Sequence, residues 1–332
     1  MSKGSTSALI IRTYRGEGDI QAITALYNAA ATVDGPEWGQ SEGDVRLTMT
    51  SPEARPEENA FLFEVDDQLV AYGRIFFEEG PEESIFFLQG MVHPDWRRQG
   101  IGTRLMERLE QRAEERLAEA KNETVYLHAG VQLKHEDRQA LFRKMGYDVA
   151  RYYFDMECPL YEEDAPVDLP EEGYPAGIVV RTMVQRPDLR GVKQTADEAF
   201  RDHWGHAEST LEQWQHWTSG PDHRPELWLV AWDAGKDEPA GICLNGFSPD
   251  RNTRLGREEG WVNVLAVRRP YRRQGLGRAL LLAGMSGLQQ AGMEWAMIGV
   301  DTENLTGALR LYERAGFRPV KRSAAFRKRI GR

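Results

Sequence analysis

Two kinds of hydrophobic pattern alternate along this chain, and the whole series runs through twice. Short apolar or alternating runs bounded by turn residues predict strands; longer stretches with apolar residues three and four apart predict helices. Ile10-Ile11-Arg12-Thr13 is echoed by Val179-Val180-Arg181-Thr182, and a helix-like segment follows each, at 19–31 and 188–200. Paired strand-like runs come next, at 61–65 and 69–77 in the first half and at 227–232 and 240–247 in the second. A further strand, 84–92 or 260–267, leads into a glycine-bearing loop. From each loop a helix runs to about residue 121 or 290, followed by a strand at 124–129 or 296–301. The last helix of each half stops at a glycine, Gly146 or Gly316, a common helix terminator. A final strand near 152–157 or 323–330 is expected to close each half.

A repeat this long predicts two related domains, not a solenoid of small units. Each is expected to be α/β (α+β), a mixed central sheet flanked by helices. Residues 1–164 make the first and 178–332 the second. Residues 165–177 read as a linker, because the stretch around them is rich in acids, prolines and glycines and offers no core element. A chain of 332 residues is long enough for two such cores.

Composition narrows the partners. No apolar run reaches the length of a membrane span and no secretion signal is legible, so a cytoplasmic protein that avoids membranes is expected. The cysteines, Cys158 and Cys243, fit a reducing compartment and read as small buried hydrophobes. A net charge of −10 speaks against a nucleic-acid partner. The basic end of the chain, with Lys321, Arg322, Arg327, Lys328, Arg329 and Arg332, reads as the polar side of an edge strand. His203, His206, His216 and His223 match no zinc spacing and no cysteine lies near them, so no metal is expected. Joined domains can cover on each other what single domains bury as dimers, which leaves monomer and dimer both open.

The candidate chemistry lies in the two loops. Arg272-Arg273-Gln274-Gly275-Leu276-Gly277-Arg278 has a twin in Arg97-Arg98-Gln99-Gly100-Ile101-Gly102-Thr103. Each follows a strand and opens a helix. Such a loop presents unsatisfied N–H groups at the positive end of a helix dipole, a ready site for phosphate, and its glycines let the backbone close on the ligand. Arg268, Arg269, Arg272, Arg273 and Arg278 add charge that strengthens such contacts, and two or three of them are expected to reach the ligand.

With the downstream Asn304-x3-Ala308-x3-Tyr312-x3-Gly316-Phe317, the motif Arg272-x-x-Gly275-x-Gly277 resembles the signature of the GCN5-related N-acetyltransferase (GNAT) family. The resemblance covers nearly the whole chain, twice. It implies transfer of an acyl group, usually acetyl, from acetyl-CoA (coenzyme A) to an amine. By that resemblance Leu265, Ala266, Val267, Arg272, Arg273, Gln274, Gly275, Leu276, Gly277, Arg278 and Asn304 bind the cofactor. Val92, Arg97, Arg98, Gln99, Gly100, Ile101 and Gly102 do so more weakly in the first domain. The strand 261–267 should splay from its neighbour near Leu265, and the Val267 N–H should face the thioester carbonyl. Tyr312 sits where the family places its general acid; the reading that competes is a core tyrosine.

The base is less defined. The family often uses a glutamate on the strand before the loop, acting through water, and Glu259 is the choice here. Strict alternation from Val267 puts Glu259, Trp261, Asn263 and Leu265 on one face and Glu258 on the other. A solvated turn glutamate, or no protein base at all, stays open. Asn263, polar inside an apolar run, is expected to face the acceptor. The acceptor side is expected to draw on 198–217, with Phe200, Asp202, His203, Trp204, His206, Trp214, His216 and Trp217, unless these only pack a helix.

The first half departs from the pattern. Phe142 stands for Tyr312, and a phenyl ring has no proton to give. Ser84 stands for Glu259, and the Asn304-x3-Ala308 pattern is missing. The second half is therefore expected to be catalytic and the first a structural or coenzyme-binding partner. The expected acceptor is the primary amine of a small molecule, with a cysteinyl precursor of a thiol cofactor as the named alternative. A non-catalytic acyl-CoA sensor is the alternative of another class.

Overall fold

The computed structural model describes residues 8–161, 173–201, 203–205, 207–303 and 307–331. In chain order the first half contributes β1 (Ile10–Thr13), α1 (Gly18–Asp34), α2 (Glu42–Met49), α3 (Pro56–Asn59), β2 (Ala60–Val65) and β3 (Gln68–Glu79). It continues with β4 (Ser84–Val92), α4 (Ile101–Glu115), β5 (Val125–Gln132), α5 (Glu136–Lys144) and β6 (Asp148–Pro159). The second half contributes β7 (Ile178–Thr182), α6 (Leu189–Phe200), α7 (Leu211–Thr218), β8 (Trp228–Asp233), β9 (Glu238–Gly246) and α8 (Pro249–Leu255). After these come β10 (Glu259–Val267), α9 (Leu276–Gln290), β11 (Trp295–Asp301), α10 (Ala308–Arg314) and β12 (Arg318–Ile330).

Each half is α/β with a mixed sheet, as expected. The pairs β1–β2, β2–β3, β3–β4, β7–β8, β8–β9, β9–β10 and β6–β11 are antiparallel, whereas β4 with β5 and β10 with β11 run parallel. A parallel pair needs a crossover, and α4 and α9 supply it. Both helices start directly on a glycine loop.

The chain forms two compact units. The first gathers Met1–Val131, His135–Ala150 and Ala325–Arg332; the second gathers Gln132–Lys134 and Arg151–Ala324. The expected closing strands are therefore exchanged. Most of β6 pairs with β11 inside the second unit, from Asp301↔Tyr153 to Trp295↔Pro159. The end of β12 lies in the first unit, where Phe326 packs 5.3 Å from Phe142 and Arg327 holds Glu83 at 2.7 Å. The pattern of β6 gave no warning. Phe154, Met156 and Cys158 alternate with Asp155 and Glu157, which suits any sheet edge with one apolar face.

In the second unit the sheet has two distinct faces. Helix α9 lies so close to one that a Cβ on Gly260 would stand 2.5 Å from Leu288, and one on Gly284 would stand 2.6 Å from Cys243 Sγ. Val262, Leu265 and Val267 pack on this face with Leu276, Leu280 and Tyr312. Val264 and Ala266 pack on the other, with Ala196 of α6 and Trp214 of α7.

That assignment breaks strict alternation, and the cause is a bulge. Register between β10 and β9 jumps from Val262↔Asn245 to Val264↔Leu244, which leaves Asn263 as the extra residue. A bulge turns the faces over by one position. Leu265 therefore faces α9, while Glu259 and Trp261, upstream of the bulge, face away from it. The expectation that all shared one side is corrected.

Candidate active site

The two glycine loops fold alike. Gly275 and Gly100 are the N-caps of α9 and α4, with φ of 83° in both and ψ of −11° and −5°. Only glycine takes that conformation without strain. Arg273 and Arg98 precede them by two residues with φ of 62°. A left-handed arginine costs roughly 1 kcal/mol, and the cost recurs at the same place in both loops. No side chain caps either helix, so the first-turn N–H groups remain for an anion. The geometry fits the diphosphate of coenzyme A.

The arginines divide into two groups. Arg272 turns inward: its Nε donates to Val267 O at 3.0 Å and its Nη2 to Ala199 O at 3.0 Å. Arg97 repeats the first contact, to Val92 O at 3.1 Å. Arg268 is held by Glu198 at 2.6 Å and Glu238 at 3.1 Å. These three brace the loops. Arg273, Gln274 and Arg278 are exposed at the rim, with Gln274 donating to Pro270 O at 3.0 Å. Asn304 lies outside the described residues, as do Asp202 and His206.

Beside the loop the sheet opens. Pairing of β10 with β11 runs from Glu259↔Trp295 to Val262↔Ile298 and stops. The strands part directly at the bulge, earlier than the expected Leu265. Leu265, Ala266 and Val267 stay paired with β9 at Cys243, Ile242 and Gly241, so their edge toward β11 is open to a ligand that adds as a strand. The first unit repeats this: β4 and β5 pair from Ser84↔Val125 to Phe87↔His128 and part. Ser84 thus holds the register of Glu259.

Tyr312 packs on the α9 face in one cluster with Leu265 and Val267. It is 7% exposed and packs edge-on to Phe317. Burial, with a smaller contribution from Cys243, pushes its hydroxyl up to about 12. It is therefore a neutral phenol with a proton to donate. Cys243 is fully buried, and burial pushes its thiol up to about 12. In the first unit Phe142 packs between Tyr147 and Phe326.

Glu259 is 5% exposed. Arg257 Nε lies 3.2 Å from one of its oxygens and Arg251 Nη2 3.8 Å from the other. It stands four residues before Asn263, roughly 13 Å along an extended strand. Asn263 itself is exposed at the parting point. The two arginines come from α8 and the turn after it, elements the hydrophobic pattern did not reveal; the basic spacing Arg251, Arg254, Arg257 was the available signal.

On the face away from α9, Trp228 is ringed by His223, Trp217 and Trp214 at centroid distances of 4.6, 5.1 and 6.3 Å. Trp214 and Trp228 are core, whereas Trp217 is 39% exposed. Trp204 stacks on Arg151 at 5.0 Å, and Phe200 lies 4.6 Å from His203. The stretch 198–217 therefore mixes packing with an exposed aromatic edge. Among the described residues no group of three or more His, Cys, Asp or Glu side chains could hold a metal, and no helix is long and apolar enough to cross a membrane.

Comparison with known proteins gives a consistent result. The profile described as "Acetyltransferase (GNAT) family" matches residues 21–147 and 189–317. Both matches end before the exchanged part of β6 and before the end of β12. The chain is 29% identical over 299 residues to the mycothiol acetyltransferase of Geodermatophilus obscurus, covering 90% of each chain. It is 28% identical to that of Thermobifida fusca over 308 residues, covering 90% of this chain and 91% of the other. A GCN5-related N-acetyltransferase from Sphaerobacter thermophilus superposes with a TM-score of 0.73 at 28% identity, over 98% of this chain and 96% of that one. A tandem GNAT protein from the clavulanic acid biosynthesis pathway has the same fold, with a TM-score of 0.70 at 15% identity over 98% and 99%. The chain is an acetyltransferase, and it belongs to the GNAT family in both of its halves.

Proposed function

We propose that this chain moves an acetyl group from acetyl-CoA to the primary amine of a small molecule, by direct attack within a ternary complex in the second unit. One observation carries the reading: β10 leaves β11 at Val262, and Leu265 and Val267 beyond that point pack in one cluster with Leu276, at the glycine-capped start of α9, and with buried Tyr312. The cofactor supplies an activated acetyl group and a thiolate leaving group. The N–H groups around Gly275 and Gly277 hold the diphosphate, with Arg273 and Arg278 at the rim. The free edge at 265–267 would take the pantetheine arm, and the Val267 N–H would stabilise the charge that develops on the thioester oxygen. Tyr312 donates its proton to the departing sulfur. Asn263 faces the acceptor at the gap, and the amine proton leaves along a chain of waters toward Glu259, behind its arginines.

The first unit keeps the loop and the parted strands but has Phe142 and Ser84 at the two chemical positions. We assign it coenzyme binding without turnover. Within this reading, a cysteinyl thiol-cofactor precursor is the favoured acceptor, because relatives covering about nine-tenths of the chain are mycothiol acetyltransferases. A non-catalytic acyl-CoA sensor would have no use for Tyr312.

Release of free thiol from acetyl-CoA, followed across a panel of amines that includes a cysteinyl amide, tests the proposal. Amine-dependent release is expected. A rate no higher than hydrolysis with every amine would contradict it and favour the sensor.

A further inference from the structure

The bulge at Asn263 belongs to the second unit alone of the two matching sheets. In the first unit β3 and β4 pair without a break from Ala71↔Val92 to Glu79↔Ser84. Leu88 follows Ser84 by four residues, as Asn263 follows Glu259, and Leu88 is buried. In the second unit the same place is polar, exposed and outside the ladder. A bulge re-aims a side chain, and bulges are common beside active sites. Here it sits where β10 leaves β11.

Neighbours fix where the Asn263 side chain lies. Gly246 of β9 is the register partner of Trp261, so a side chain at 246 would point with Trp261, away from α9. A Cβ built on Gly246 would stand 3.2 Å from Asn263 Nδ2 and 3.5 Å from Asp222 O. The amide therefore lies on the face that carries α6 and α7, in space that glycine leaves open. Asn245, one residue before Gly246, points the other way, and its amide donates to Gly284 O of α9 at 3.0 Å. The two amides differ in use. That of Asn245 is spent on the core, whereas that of Asn263 makes no hydrogen bond among the described residues. Charges on the flanking segments are engaged: Glu259 with Arg257 and Arg251, and Arg224 over the Phe247 ring at 4.7 Å.

We infer that Asn263 is a specificity residue of the second unit, which binds a neutral hydrogen-bonding group of the acceptor, an amide or a hydroxyl, beside the amine. The inference rests on the transferase reading of that unit. A carboxamide offers a donor and an acceptor from one flat group. It matches a partner that both gives and takes a hydrogen bond, and it leaves a carboxylate or an ammonium ion half satisfied. Asn263 takes no part in the bonds that change. One neutral hydrogen bond more is worth a preference of roughly two- to tenfold.

The test is calorimetry on the full chain with coenzyme A bound. The probes are S-methylcysteine amide and S-methylcysteine methyl ester. Both are amines of similar basicity with a carbonyl to accept a hydrogen bond, and the amide alone has a further N–H to give. The wild-type protein should bind the amide roughly two- to tenfold tighter. Asn263→Leu should bind the two alike, with coenzyme A affinity unchanged. Asn263→Asp accepts but does not donate, so it should repel the ester carbonyl and widen the preference. A residue with only a packing role would not shift the preference in opposite directions. A wild type with no preference, an Asn263→Leu protein that kept it, or an Asn263→Asp protein that lost it would overturn the inference. Thiol release from acetyl-CoA without an amide preference would leave the transferase reading standing and remove this one. An amide preference with no thiol release by any amine would do the reverse.

Discussion

Tyr312 is a buried phenol whose proton is held by its surroundings, and two expectations follow. Tyr312→Phe should lower kcat by roughly 10²–10⁴ with little change in acetyl-CoA affinity, as steady-state kinetics beside binding titrations would record. The sequence singles this residue out because Tyr312-x3-Gly316 repeats as Phe142-x3-Gly146 with only the hydroxyl changed. The surroundings of Glu259 were not legible. Nothing in a strand pattern announces that Arg251 and Arg257 will close over it. Asp34 makes the same point in the first unit. It is 5% exposed and receives Arg97 at 2.8 Å on both oxygens, with Arg138 also in contact. Burial pushes its carboxyl up, but the Arg97 hydrogen bonds and the charge of Arg138 outweigh this and leave it below its ordinary value. A carboxyl depressed on folding contributes stability above its unfolded pKa, near 4, and loses it as pH falls toward the folded value. Asp34→Asn should thus be less stable than wild type at pH 7, and the gap should narrow in urea titrations below pH 4.

Among the elements, the glycine loops were readable because their backbone conformation demands particular residues. The bulge at Asn263 was not. Period-two reasoning assumes an unbroken ladder, and one extra residue moved Leu265 to the face opposite Glu259. The partners of β6 and β12 were hidden for a related reason: alternation tells which side is apolar and is silent on which strand lies alongside. Helix α9 shows what packing adds to propensity. Gly284 sits in mid-helix, where alanine would be favoured by about 1 kcal/mol. A Cβ there would meet Cys243 Sγ at 2.6 Å and Asn245 Nδ2 at 2.8 Å, and both residues are fully buried. Gly284→Ala should therefore destabilise the protein by about 1–3 kcal/mol, lowering the urea midpoint with the slope unchanged. A midpoint at or above wild type would mean α9 sits further from β9.

At the scale of the molecule, one architecture appears twice with different side chains at the candidate chemical positions. Both units have a left-handed glycine at the helix start and strands that part beside it; the second has Tyr312 and Glu259 where the first has Phe142 and Ser84. Gly275→Ala, strained at a φ of 83°, should weaken acetyl-CoA binding several-fold and lower activity with it. Gly100→Ala, equally strained at the matching cap, should leave turnover near wild type. Equal losses in the two variants would mean that both units turn over. The measurement that bears most directly on the account is a crystal structure with acetyl-CoA. It should show the diphosphate on the N–H groups around Gly275 and Gly277 and the sulfur within hydrogen-bond reach of the Tyr312 hydroxyl. An empty loop in the second unit, or a sulfur out of reach of that hydroxyl, would contradict it.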